Sequence, residues 1–436
     1  MMLQSLRTVL TSGDLLARLA PARGQLRDVA FLVAGNVLKF ALGLAPSVLI
    51  FRALGPVDVG RLTLALNVIS VFSIVGEFGL RDAAVNYLTR FMATAPERAR
   101  QVARTFLVSK VALAALAGSV ALFCAEWIAA RFYPQARVAD LIRLGAFSLL
   151  ADGLLSFSLV MLEAQQRFAA ISALGVIQAL MRATSIGVLF LAHRLSLASL
   201  VVLESLVPLA AFAYSLRLIP RSFVSLRRPL LKHLGLLVQF TKWIAIAALA
   251  GTLFLKLDVL MLSGLRATAE VGVYAAAIAL VAKLEAVKNA ILTTAFPQAC
   301  RCTGHGEMRV YVSGSLRLTG ITSLAMLPLF VVGGMLIVWL YGADYRAAAP
   351  AFYPLLAAFI IGLNVEPVAF VLYPLNRPQW VAVNEVAQLA VGLGMGLALI
   401  PAFGIVGAAW GVLVARIVAA LVTFRLVRRF LWEQVA

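Results

Sequence analysis

The chain alternates between long apolar stretches and short polar connections from residue 29 to residue 425. Each apolar stretch has about 20 residues or more, the length that an α-helix needs to cross a bilayer. The pattern predicts an all-α, polytopic membrane protein with twelve transmembrane helices. The predicted spans are residues 29–51, 61–80, 106–129, 139–162, 168–191, 196–219, 237–263, 270–297, 313–341, 350–374, 379–400 and 403–425.

A short repeat relates the two halves of the chain. Asp58–Gly60 precedes the second predicted span and Glu270–Gly272 precedes the eighth, at an offset of 212 residues, and each is an acidic residue followed by Val and Gly. Related halves are common in transporters, where the substrate binds between them. We therefore predict two six-helix lobes around a central cavity. The predicted segments are a cytoplasmic N-terminal segment (1–28) that can form a helix on the membrane surface, an N-lobe (29–219), a cytoplasmic linker (220–236), a C-lobe (237–425) and a cytoplasmic tail (426–436).

Composition and charge narrow the class of protein. A hydrophobic content of 62% and a mean hydropathy of +0.97 exclude an ordinary soluble domain. The net charge of +19 is typical of nucleic-acid-binding proteins, but most Lys and Arg fall in connections on one side of the predicted bilayer. This distribution follows the positive-inside rule, so we predict that both termini are cytoplasmic and that nucleic acid is not a partner. The three cysteines lack the spacing of a zinc site, and we predict no metal and no cofactor.

Charged side chains inside the predicted spans are the candidate functional residues. A charge at the bilayer centre costs roughly 2.5–3.5 kcal/mol, so such residues usually face a protein interior or a wet cavity. Basic and amide groups there would bind an anionic substrate, and carboxylates could change protonation as the cavity opens to each side. The predicted substrate-binding residues are Asn36, Lys39, Arg182, Lys256, Lys283, Lys288 and Arg416. The predicted ion-coupling residues are Glu77, Asp258, Glu366 and Glu385, with H⁺ or Na⁺ as the coupling ion.

Several of these charges also have a structural explanation, which the sequence leaves open. Glu285 and Lys288 are three residues apart and can neutralise each other on one helix. Arg182 can pair across helices with Asp152 or with Glu204. Lys110, Lys242 and Arg317 lie near the inner ends of spans, where we expect them to extend towards the membrane surface.

The motifs along the chain resemble those of polysaccharide-lipid flippases of the MOP superfamily, the Wzx-like group. The similar segments begin near residue 30 and continue to about residue 425. They are Phe51–Arg61 with Phe78–Leu80 at the first two spans, Leu255–Leu262 in the seventh, Gly272–Ala277 and Ala295–Pro297 in the eighth, and Pro401–Trp410 before the last.

This resemblance implies a flippase that moves an oligosaccharide linked to undecaprenyl pyrophosphate from the inner to the outer leaflet of the bacterial plasma membrane. It implies a MATE/MOP-like fold with two lobes around a cationic cavity that opens alternately to each side. It also implies a role in polysaccharide biosynthesis, such as that of lipopolysaccharide O-antigen. The expected partners are the lipid-linked oligosaccharide, membrane lipids and, at the membrane, the polymerase or assembly machinery of the same pathway.

Other classes remain as alternatives. A MATE-type multidrug or cation antiporter belongs to the same superfamily, but cationic drugs call for a net acidic cavity. Peptidoglycan-precursor flippases of the superfamily typically have fourteen spans, and the sequence predicts only twelve. A polysaccharide polymerase or ligase would need a large outer loop, whereas the predicted outer loops are short. We therefore expect a transporter and not an enzyme.

Overall fold

A computed structural model of the protein describes residues 12–77, 80–134, 136–223, 231–302, 304–375 and 377–431. These residues form α-helices with short 3₁₀ turns, and no β-strand occurs among them. The helices are α1 (Ser12–Glu77), α2 (Leu80–Thr94), α3 (Pro96–Phe132), α4 (Ala139–Ala164), α5 (Phe168–Leu191), α6 (Leu197–Ser215), α7 (Leu231–Leu265), α8 (Thr268–Arg301), α9 (His305–Met326), α10 (Leu329–Tyr341), α11 (Ala349–Ala369) and α12 (Pro378–Leu431). The predicted all-α class is confirmed.

Two of these helices contain a sharp turn and account for two predicted spans each. The turn in α1 is at Gly55 (φ 72°) and the turn in α12 is at Gly404 (φ 56°), in backbone regions that favour glycine. In α12 an added Cβ at Gly407 would lie 2.2 Å from the backbone oxygen of Leu399. The chain therefore doubles back on itself at Gly404, and the two halves of α12 pack as an antiparallel pair.

The membrane-crossing elements agree with the hydropathy pattern. Within the described residues, eight helices are long and apolar enough to cross a membrane, or nine if α9 and α10, bent by 54° at their junction, form one span. Helix α8, with 34 residues, is also long enough to cross a membrane but carries more charged residues. Helices α1 and α12 each contain a reversal of the chain. The N-terminal helix runs without a break from Ser12 into the first predicted span.

One connection and one lysine differ from what the sequence predicts. The predicted inner loop 81–105 contains helix α2, whose apolar face (Leu80, Ala84 and Leu88) packs into the core of the N-lobe. Lys110 was expected to extend towards the membrane surface, but only 2% of it is exposed. That expectation is wrong because α3 is much longer than the bilayer is thick and Lys110 lies on its packed face.

The two lobes meet at one end of the molecule, which we name the outer end after the topology that the sequence predicts; it carries the Gly55 turn. One buried cluster there joins Phe51 and Val59 of α1 to Tyr274 of α8, to Tyr341 at the end of α10 and to Tyr345 just beyond it. At this end the repeated Val-Gly elements of the two halves face each other.

The contact between those elements is reciprocal. An added Cβ at Gly272 would lie 1.7 Å from the backbone oxygen of Pro56, and one at Gly60 would lie 2.1 Å from the backbone oxygen of Thr268. Pro56 precedes Gly60 by four residues, as Thr268 precedes Gly272. The lobes are therefore packed backbone to backbone around a pseudo-two-fold axis, and the outer end of the path between them is closed.

Candidate functional site

Two of the predicted substrate-binding residues lie where the lobes face each other. Lys283 of α8 donates a hydrogen bond from Nζ to the backbone oxygen of Gly43 in α1, at 3.0 Å. Arg182 of α5 forms an ion pair with Glu204 of α6. The positive charge of Arg182 also repels that of Lys283. Cations from both lobes therefore lie near one another at the lobe interface.

Lys256 is placed at the same interface by the register of α7. Leu260, one turn further along that helix, packs against the N-lobe cluster that contains Leu62 and Ile142. Residues four apart share a face of a helix, so Lys256 is on the side of α7 that faces the N-lobe. Among the described residues it forms no ion pair within 4 Å, although its charge is attracted to Asp258.

Three predicted site residues have side chains outside the described set. Lys39 is one helical turn before Gly43 on α1, and Asn36 is about one turn earlier. Glu77 is the last residue of α1. Their roles stay predictions.

Lys288, Arg416, Glu366 and Glu385 line an open cavity among helices of the C-lobe. This cavity has a volume of about 480 Å³ and lies between α7, α8, α11 and α12. Lys288 Nζ is 3.0 Å from Glu285 and 3.2 Å from Glu366, and Arg416 is 3.6 Å from Glu366. Lys288 and Arg416, both predicted to bind substrate, are thus held by carboxylates of their own lobe.

Glu385 is the carboxylate of this cavity that no described cation neutralises within 4 Å. Its side chain lies beside Gly251, at which an added Cβ would be 3.2 Å from Glu385 Oε2. Gln388, one turn further along α12, is 1% exposed, and its side-chain nitrogen has no hydrogen-bond partner among the described residues. With three carboxylates and two cations, the cavity has room and an excess negative charge for one proton or one monovalent cation.

Asp258, a predicted ion-coupling residue, lies outside that cavity. It accepts a hydrogen bond from Tyr274 at 2.7 Å and one from the backbone N–H of Val259 at 2.8 Å. Asp258 lines a gap of about 10 Å³ beside Gly392 and Gly396. This gap is too small for a substrate. The arrangement favours a role in fixing α7 against α8.

Glu366 is the residue that joins the two cations of the C-lobe cavity, and this yields a prediction of stability. Replacement of Glu366 by Leu leaves Arg416 without its carboxylate and leaves Lys288 with Glu285 alone. Removing one partner of a buried ion pair costs roughly 3–5 kcal/mol, so we expect a clear loss of unfolding free energy. Thermal unfolding in detergent measures it. The replacement of the exposed Asp140, which pairs with Arg143 three residues away, is the control and should have little effect; equal stability of both variants would contradict the prediction.

Several hydrogen bonds at the outer end were not predicted from the sequence, although Phe51 and Arg52 belong to one of its motifs. Arg52 donates to the backbone oxygens of Leu340 at 2.9 Å and Trp339 at 2.5 Å, across the lobe interface. Tyr345 donates to the backbone oxygen of Phe51 at 3.0 Å. On the other side Tyr133 lines a pocket together with Ser263, and burial raises the pKa of its phenol.

The repeat offset of 212 residues would have found part of this set. It relates Trp127 to Trp339 and Tyr133 to Tyr345, with identical residue types. Both tryptophans are exposed near the ends of their helices, as side chains at a membrane surface commonly are.

Solved structures with a similar fold are transporters. A multidrug-resistance MATE transporter of the MOP superfamily in an inward-facing conformation matches with a TM-score of 0.70 and 12% identity, over 92% of this chain and 98% of that one. The lipid II flippase MurJ in an inward closed conformation matches with a TM-score of 0.72 and 11% identity, over 91% and 87%. A MOP-superfamily transporter from Pyrococcus furiosus matches with a TM-score of 0.66 and 11% identity, over 93% and 95%.

These identities are low, so the likeness to solved structures shows the fold, which is that of MOP-superfamily transporters. No curated protein matches the chain significantly. The profile of the family described as "polysaccharide biosynthesis protein" matches residues 25–302, more than half of the chain. The chain therefore belongs to the polysaccharide biosynthesis protein family and is a multi-pass membrane protein with a flippase-type transporter fold.

Proposed function

We propose that the protein moves a polyprenyl-pyrophosphate-linked oligosaccharide, with undecaprenyl as the tail, from the inner to the outer leaflet of the bacterial plasma membrane. Both termini then lie in the cytoplasm and the outer end faces away from it. The observation that carries this proposal is the separation of charges: cations face the space between the lobes, whereas the excess of carboxylates lines an open cavity among helices of the C-lobe.

The basic residues at the interface suit a pyrophosphate. Among the described residues, Lys283 is held by a backbone oxygen alone and Lys256 forms no ion pair within 4 Å. A phosphate oxygen forms a stronger, charge-assisted hydrogen bond with an ammonium group than a neutral carbonyl does. The pyrophosphate can therefore displace Gly43 as the partner of Lys283, while the polyprenyl tail stays in the bilayer.

The C-lobe cavity suits an ion that drives the cycle. Glu385, beside the ion-paired Glu366, takes up one H⁺ or Na⁺, and loss of that ion changes the charge between α7, α8, α11 and α12. Because α8 carries both Lys288 of this cavity and Lys283 of the interface, a shift of α8 couples the two sites.

Replacement of Glu385 by Gln tests this coupling. We expect the variant to flip lipid-linked oligosaccharide at the basal rate that the wild type shows without a gradient, and to lose acceleration by a H⁺ or Na⁺ gradient. Lectin or glycosidase access to the glycan in proteoliposomes gives the rate. Glu285→Gln is the matched control, since Glu285 already pairs with Lys288. A variant that responds to the gradient like the wild type would contradict the role of Glu385.

Transport of a lipid-linked oligosaccharide, compared with transport of a cationic dye, tests the proposed function. Proteoliposomes with the wild-type protein should expose polyprenyl-pyrophosphate oligosaccharide to an added lectin and should fail to concentrate a cationic dye against an ion gradient. The alternative, a MATE-type cation antiporter, is favoured by the excess of carboxylates in the C-lobe cavity. Dye transport without glycan movement would establish that alternative. Chemical change of the glycan, such as chain extension, would instead indicate a polymerase or ligase.

A further inference from the structure

The closed outer end consists of two crevices related by the repeat, which we name seam 1 and seam 2. Seam 1 lies between Phe51–Arg52 of α1 and Trp339–Tyr345 at the end of α10. Seam 2 lies between Ser263–Gly264 of α7 and Phe132–Pro134 at the end of α3. The offset of 212 residues relates the two seams: Phe51–Arg52 corresponds to Ser263–Gly264, and Tyr133 corresponds to Tyr345.

The tyrosine of each seam lies beside the equivalent residue. Tyr345 donates to the backbone oxygen of Phe51, and Tyr133 lines the same pocket as Ser263, the residue that the repeat places at the position of Phe51. Since Gly60 and Gly272 also meet reciprocally, the two seams are equivalent in backbone and in the position of one tyrosine.

The remaining side chains differ. In seam 1 the ring centroid of Phe51 lies 4.4 Å from the ring centroid of Tyr341 and 5.2 Å from that of Tyr345. All three residues are buried. Arg52 caps the last turn of α10 through two backbone oxygens, which is a favourable position for a cation because that end of a helix is negative.

Seam 2 has small residues at those positions. Ser263 replaces Phe51, Ala129 replaces Tyr341 and Gly264 replaces Arg52. A pocket of about 380 Å³ lies beside Ser263 and Gly264 and is lined on the other side by Phe132 and Tyr133. The nearby Arg266 does not bridge this seam: it donates to the backbone oxygens of Ile400 and Pro401 in its own lobe.

We propose that Arg52 latches the outer gate at seam 1, that no equivalent side chain among the described residues latches seam 2, and that the gate opens first at seam 2, where Gly264 stands at the position of Arg52. Arg52 is therefore a positioning residue that holds α1 on the end of α10 while the lobes part on the other side. The glycan then leaves along the α3–α7 side of the molecule. This inference concerns the route of opening, so its geometric test stands even if the proposed substrate is wrong.

The test measures the width of each seam separately. Spin labels on a cysteine-free background, at Ala53 with Arg346 for seam 1 and at the equivalent Leu265 with Pro134 for seam 2, report the two distances by double electron–electron resonance. Under conditions that drive the cycle, we expect a long-distance population for seam 2 and a single short distance for seam 1.

Two substitutions change the two seams in opposite directions. Arg52→Ala should give seam 1 a long-distance population about tenfold larger than in the wild type, since two charge-assisted hydrogen bonds are lost. Gly264→Arg should abolish the long distances of seam 2 and slow flipping about tenfold, because it supplies the missing latch. The site tolerates a side chain: an added Cβ at Gly264 meets nothing closer than 3.8 Å, and that atom is the backbone oxygen of Phe132.

Each variant can overturn the inference alone. If Arg52→Ala leaves seam 1 short, Arg52 is not a latch. If the wild type opens both seams equally, or Gly264→Arg leaves the opening of seam 2 unchanged, the one-sided gate is excluded. Should Gly264→Arg fail to fold, Gly264→Ser with the same labels and the wild-type distances still decide the order of opening.

Discussion

Replacement of Gly272 by Ala is expected to abolish closure of the outer end and to reduce flipping at least tenfold. The new Cβ would lie 1.7 Å from the oxygen and 2.7 Å from the carbon of the Pro56 carbonyl, whereas real Cβ contacts essentially never fall below 3.0 Å. The clash is with the backbone of the other lobe, so no side-chain rotation relieves it. Because alternating access needs a state closed on the outer side, the cycle stops.

The reciprocal variant and a matched control make this result specific. Gly60→Ala should have the same effect, since its Cβ would lie 2.1 Å from the backbone oxygen of Thr268. Gly314→Ala in α9 is the control, because an added Cβ there meets no atom within 4 Å. Flipping rates and the two seam distances measure the outcome. Wild-type flipping with a closed outer end in both Gly60→Ala and Gly272→Ala would show that the contact is not part of the gate.

Replacement of Lys283 by Ala is the second substitution with a large expected effect. Hydrogen bonds to charged groups contribute about 1.5–3 kcal/mol, and 1.4 kcal/mol corresponds to tenfold, so we expect flipping of a pyrophosphate-linked substrate to fall roughly 10- to 100-fold. Lys283→Arg keeps the charge and should retain most activity. The rate of glycan exposure in proteoliposomes is the measurement.

The control for charge removal is Arg317→Gln. Arg317 is exposed on α9, away from the lobe interface, and lies within a predicted span as Lys283 does. The Arg317→Gln variant should flip the lipid-linked substrate at the wild-type rate. If Lys283→Ala also flips at the wild-type rate, or if Arg317→Gln is equally impaired, Lys283 has no specific role in substrate movement.

Much of the fold follows from the sequence because helix length in a membrane is set by bilayer thickness. The hydropathy pattern places the boundaries between the first two and last two spans close to Gly55 and Gly404, where the structure has its turns. The bend between α9 and α10 lies at Pro328, a proline inside a predicted span that favours a kink. A proline within an apolar run signals a break, but the hydropathy pattern alone does not show its angle.

The distribution of charges between the two sites could not be read from the sequence. Lys283 and Lys288 are five residues apart on α8 and therefore point in different directions, one to Gly43 of the other lobe and one to Glu366 of its own. The partner in each case comes from a distant helix. Spacing within one helix revealed only the Glu285–Lys288 pair, which the structure confirms at 3.0 Å.

The central claim is that cations between the lobes recognise the pyrophosphate of a lipid-linked glycan. The most direct measurement compares flipping of one oligosaccharide on polyprenyl pyrophosphate and on polyprenyl monophosphate, by the wild type and by Lys256→Gln/Lys283→Gln. We predict that the wild type prefers the pyrophosphate by about tenfold, equivalent to one charge-assisted hydrogen bond, and that the double variant loses this preference. Equal rates for both lipids in the wild type, or an unchanged preference in the double variant, would contradict the claim.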